Sequence, residues 1–224
     1  MLKKIKQIIE REKIKHPKNS WFVLLLRRFV QVIYNKLLGI RMFLTKDSTF
    51  QSPDTLWMCS LFPKQLLDTV ITLLKPGSVL DVGCGTGISL SYFLQNNINA
   101  LGIENSSIAI EASAVKDKII KHNLNNELKL SKKFDMVWCF EVIEHIHPSF
   151  ESNFLQTLIN HGDCIILSAA RPGQGGHGHF NEQEPEYWIQ KFKTLGFSYQ
   201  SEVTEKLKST GDMHSENILC FKRV

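Results

Sequence analysis

The chain has 224 residues, 43% of them hydrophobic, and a formal net charge of +5, which suits one full core plus an appendage. Its five cysteines form no C-x-x-C pair and follow no secretory leader, so a disulfide framework and a structural zinc site are not expected, and a reducing, cytoplasmic compartment is. Residues 1–46 hold 12 Lys/Arg against only Glu10 and Glu12, leaving the remainder acidic by five charges, which argues against a long nucleic-acid footprint on the body.

Residues 2–15 put Leu2, Ile5, Ile8 and Ile9 on one helical face, and His16-Pro17 should break that helix. Residues 20–44 form a second basic amphipathic stretch. Arg27, Arg28 and Lys36 interrupt it too often for a membrane span, which needs about 20 nearly uncharged residues. No small-residue cleavage site follows it, as a signal peptide would require. Two readings remain: a helical lid over the body, or an in-plane contact of residues 1–46 with an anionic membrane surface. We therefore divide the chain into a basic helical arm, 1–50, and a body, 51–224.

The body should open with a helix within 47–77, with Leu61, Leu66, Leu67, Val70, Ile71, Leu73 and Leu74 on its apolar face and Lys75-Pro76-Gly77 as its stop. Then comes Ser78–Leu90, SVLDVGCGTGISL. An apolar strand runs into glycines at 83, 85 and 87, and a helix starts over 86–95. Glycines permit a left-handed turn and close ligand approach, and the helix start exposes backbone N–H groups. The G-x-G-x-G spacing and the adjoining Asp81 disfavour a pyrophosphate and suit a ligand with an ammonium group.

D-V-G-C-G-T-G resembles the first motif of the class I S-adenosylmethionine-dependent methyltransferases. The resemblance covers about residues 55–224. It implies a doubly wound, mostly parallel, seven-stranded α/β sheet of Rossmann-like type, with S-adenosylmethionine as cofactor. It assigns the cofactor to Asp81, Gly83, Cys84, Gly85 and Gly87. Strand 2 (98–103) closes on Glu104, 23 residues past Asp81, where a carboxylate can accept both ribose hydroxyls. Ser106 should cap a helix over 107–115. Strand 3 (118–124) ends near Asn123, the expected partner of the adenine amino group. Asn105, Phe140 and Glu141 complete the expected cofactor contacts.

Strand 4 (134–140) leads into E-V-I-E-H-I, and this block also resembles class I methyltransferases, especially those acting on small molecules and glycans. Beyond a helix over 149–160 and strand 5 (163–169) lies a Gly/His-rich loop, 171–184, feeding a helix that Pro185 should start. Its P-G-Q-G-G…H-x-N-E-Q…Y-W pattern resembles the same group. Tyr187 and Trp188 suit either a sugar face or the core. Residues 198–207 and 213–223 should finish as two antiparallel strands.

Methyl transfer to a hydroxyl gains from a general base, and the candidates are His179, His145, His177 and Glu141. An extended loop would turn only one of His177 and His179 inward, and the resemblance favours His179. An alternative metal set, Glu141, Glu144, His145 and His179, resembles the magnesium site of small-RNA 3′-end methyltransferases. The expected reaction is O-methylation of a sugar, glycan or other small molecule. RNA 2′-O-methylation and a non-catalytic S-adenosylmethionine-binding scaffold are the alternatives.

Overall fold

A computed structural model describes Leu56 and residues 58–224. The arm and its two readings lie outside the described residues. Helix α1 (Lys64–Leu74) buries Leu66, Leu67 and Val70 and ends with Lys75 in the left-handed region, ahead of Pro76. Strand β1 (Ser78–Val82) follows, then α2 (Ile88–Gln95), β2 (Asn99–Glu104), α3 (Ser107–Ala112), β3 (Ile119–Lys121) and β4 (Met136–Cys139). The chain continues through α4 (Glu151–His161), β5 (Cys164–Ser168), α5 (Pro185–Thr194), β6 (Phe197–Tyr199), α6 (Ser201–Lys208) and β7 (Ile218–Arg223). As expected, the Ser106 side chain caps α3, and Pro185 sits in the first turn of α5.

The seven strands form one sheet in the order β3-β2-β1-β4-β5-β7-β6. β1 to β5 pair in parallel, and β7 runs antiparallel between β5 and β6. This is the expected doubly wound α/β sheet. Successive strand residues face opposite sides, and both sides are buried. On one side Leu80, Val137, Ile165 and Phe221 pack with Phe154 of α4 and Trp188 and Phe192 of α5. On the other, Val79, Met136, Ile166 and Cys220 pack with α1, α2 and Leu207 of α6. Trp188 is fully buried, so it belongs to the core and offers no face to a sugar.

Three strand expectations need correction, and the last strand begins only at Ile218, after a 3-10 turn over Ser215–Asn217. Residues 201–208 are helical, and from this segment of the chain Phe197–Tyr199 alone pairs with β7. Thr204 and Leu207 are buried three residues apart, so packing selects the helical period over a strand's alternation. β3 also stops at Lys121, which leaves Asn123 in the turn beyond it. No helix among the described residues is long and apolar enough to cross a membrane.

Candidate active site

The order of the sheet reverses between β1 and β4, and in such sheets the crevice at the carboxyl ends of the strands takes ligands. A cavity of about 330 Å³ opens there. Asp81, Gly83, Cys84, Gly85, Glu104 and Asn105 line one part of it. Asn123, Phe140, Glu141, His145, His177 and His179 line the rest. The sequence had singled out every one of these.

Gly87 is the exception among the loop glycines. It caps α2 at φ 75°, and a Cβ there would lie 2.8 Å from Ser113 Oγ, so it shapes the turn and does not reach the cavity. At Gly85 a Cβ would come within 2.2 Å of the Cys59 carbonyl. That carbonyl accepts from Thr86 N at 2.8 Å, so residue 85 must be glycine for the preceding segment to lie across the loop.

Asp81 is 2% exposed, and its Oδ2 has no hydrogen-bond partner among the described residues. Burial, then the nearby Glu104, pushes its carboxyl up to about 8. Glu104 differs because the backbone satisfies it. Its Oε1 accepts from Asn105 N and Ser106 N, both at 2.7 Å, and its Oε2 from Gly85 N at 2.8 Å. Burial still raises it above the usual carboxylate range. An orphaned carboxylate oxygen facing a cavity suits a ligand's ammonium group. Glu104 keeps one lone-pair site, on Oε2, for a ligand hydroxyl. The Asn123 Oδ1 accepts from Asn125 N at 2.9 Å.

The second half of the site comes from three segments. After β4, a one-turn 3-10 helix over Ile143–His145 brings Glu144 and His145 to the wall. His145 Nδ1 donates to the Gly178 carbonyl at 3.2 Å, tying that turn to the Gly/His loop. Burial first, then the adjacent His179, lowers the His145 imidazole to about 4, which makes it a weak proton acceptor. The His179 ring stands edge-on to it at 4.9 Å, and His179 Nδ1 donates to Glu182 Oε1 at 2.7 Å. The loop is not extended. Glycines 173, 175 and 178 take positive φ, the chain turns, and both His177 and His179 reach the cavity.

Glu144, His145 and His179 bring one ligand atom each within 4.8 Å of one another, a set that could hold a divalent cation. Glu141 is outside that cluster, contrary to the four-residue set drawn from the sequence. Its carboxylate instead accepts from Asn217 Nδ2 and meets His214 Nδ1, both at 3.2 Å. Glu141 and His214 both have left-handed backbones, φ 54° and 62°. Such strain concentrates at functional sites. Glu182, His214 and Gln174 are site residues that sequence reasoning missed. Glu182 stood inside a quoted motif, whereas His214 fell in a stretch read as a strand and carried no signal.

Residues 58–161 match the family model described as a methyltransferase domain. The Ubiquinone biosynthesis O-methyltransferase of Rickettsia canadensis (strain McKiel) is 33% identical over 101 residues, 42% of this chain and 43% of that protein. The chain thus spans about two-fifths of the length of the curated relatives it matches. Among solved structures, magnesium protoporphyrin IX methyltransferase from Synechocystis PCC 6803, with bound SAH, superposes at a TM-score of 0.54. It is 21% identical over 71% of this chain and 83% of that one. The sugar N-methyltransferase KedS8 from Streptoalloteichus sp ATCC 53650 gives 0.58 at 14% identity, covering 72% and 88%. The methyltransferase domain of bacterial CtHen1 gives 0.54 at 20% identity, covering 71% and 97%. The fold of the described body is therefore the Rossmann-like methyltransferase fold.

Proposed function

We propose that this chain transfers a methyl group from S-adenosylmethionine to an oxygen of a small molecule, with a sugar or glycan as the preferred class. One observation carries the reading. The buried, unpartnered Asp81 oxygen and a carboxylate-held imidazole, His179–Glu182, open on the same cavity. The cofactor supplies an already activated methyl group, so the protein's work is orientation and proton removal. Asp81 would accept from the ammonium group, and the free Oε2 site of Glu104 would accept from a ribose hydroxyl. His179 takes the acceptor's hydroxyl proton as the oxygen attacks, and Glu182 stabilises the imidazolium that forms.

Two measurements on the full chain test the reading. S-adenosylhomocysteine should raise the melting temperature by mass action, and NAD should not. Labelled methyl groups should pass from donor to a small molecule in a cell extract. Stabilisation by NAD alone would move the site to the dinucleotide-binding proteins. Binding without any transfer would favour the non-catalytic scaffold, and label recovered in RNA would favour the polymer acceptor.

A further inference from the structure

We propose that Glu182 is a positioning residue for His179, and that it aims the ring by closing the glycine turn onto its own carboxylate. The inference rests on the methyl-transfer reading above. Glu182 Oε1 accepts from His179 Nδ1 at 2.7 Å and from Gly175 N at 2.8 Å. Its Oε2 accepts from Gly173 N at 3.0 Å. One carboxylate therefore ties the ring to the turn. Burial works to raise the Glu182 carboxyl, but the hydrogen bonds from His179, Gly173 and Gly175 hold it below its usual range.

A neutral imidazole carries a single N–H. With that proton on Nδ1 and given to Glu182, the lone pair stands on Nε2, the nitrogen a base must present. The ring is confined on two further sides. The His145 ring stands against it at 83°, and Gly176 lies so close that a Cβ there would be 2.1 Å from Nε2. Opening the 173–175 turn would remove two of the donors that fix Glu182. Closure of the loop and aim of the base are thus one structural event. Lids that complete a catalytic constellation in this way are a recurrent device.

The test uses the full ¹⁵N-labelled chain with neither cofactor nor acceptor. Long-range ¹H–¹⁵N spectra in mildly alkaline buffer report which imidazole nitrogen carries the proton, and His179 is identified by the signals lost in His179→Gln. The expected wild-type pattern is Nδ1 protonated and Nε2 bare. Glu182→Gln keeps the side-chain length and an accepting oxygen for the backbone, and it should average the two tautomers. Protonation on Nε2 in the wild type, or an unchanged pattern in Glu182→Gln, overturns the proposal. Should Glu182→Gln fail to fold, the wild-type pattern alone decides. With an acceptor found by the label-transfer screen, Glu182→Gln should lower kcat by at least about tenfold, as loss of an orienting carboxylate does elsewhere. The acceptor KM and the affinity for S-adenosylhomocysteine should stay unchanged; an unchanged kcat, or a matching loss of affinity, overturns the proposal. The spectra need no ligand, so failure of the methyl-transfer reading appears separately, as absent stabilisation and absent label transfer.

Discussion

At Asp81 a carboxyl group is buried with no counter-charge beside it among the described residues. Its carboxyl is pushed up to about 8, so at neutral pH the ligand-free site holds it largely protonated. A carboxyl raised on folding contributes stability below its unfolded value, and that contribution is lost as pH rises through about 8. A bound ammonium group reverses the preference and expels the proton. The affinity for S-adenosylhomocysteine should therefore rise with pH up to about 8, by up to about tenfold per pH unit. Calorimetry in buffers of different ionisation enthalpy should detect one proton released on binding. A flat profile would mean that Asp81 does not face the ammonium. His179→Ala should cut turnover about 10²–10⁴-fold and leave cofactor affinity intact, while His177→Ala changes little. Turnover should survive EDTA. Loss with EDTA and recovery with magnesium would instead assign Glu144, His145 and His179 to a cation.

The loop that carries the histidines is held by elements, and its motif residues are the fasteners. Glu151, in the first turn of α4, has a side chain only 7% exposed. It accepts from Asn181 Nδ2 at 3.0 Å, from Tyr187 Oη at 2.9 Å and from Lys191 Nζ at 2.9 Å. The amides of Phe180 and Asn181 both donate to the Glu144 carbonyl, at 2.8 and 3.0 Å. So the N-E-Q…Y pattern joins α4, α5 and the 3-10 turn beneath the loop. Tyr187, read as a sugar platform or core, is one of these fasteners. Glu151→Ala would leave the buried Asn181 amide without this acceptor. It should cost about 1–3 kcal/mol, read as a lower urea midpoint with an unchanged slope. The exposed Lys191 adds little to that figure. An unchanged midpoint would show that the loop is anchored elsewhere.

Across the whole chain, charge divides the molecule more sharply than composition does. Residues 1–46 carry ten net positive charges, and the remainder is acidic by five. The full chain should co-sediment with anionic liposomes and be released by salt, whereas a chain beginning at residue 47 should stay in solution. Equal pelleting of both, or salt-independent behaviour, would favour the lid reading of the arm.

Strands, turns and most helix ends were legible in the sequence because short-range forces set them. Apolar runs, the glycine loop, the Ser106 cap and Pro185 each act within a few residues of the structure they specify. Most of the proposed cofactor half was legible for the same reason, since Asp81 and Glu104 stand at the ends of adjacent parallel strands. The acceptor half was legible in its residues Glu141, His145, His177 and His179, but not in how they pair. Glu141 meets His214 across 73 residues of chain, and Gly87 turns from the cavity toward Ser113. Residues 201–208 choose helix because Thr204 and Leu207 find a core to enter. Local propensity says nothing about which polar groups meet across a sheet. Strand register and packing decide that, so only the tertiary structure brought Glu182, His214 and Gln174 into view.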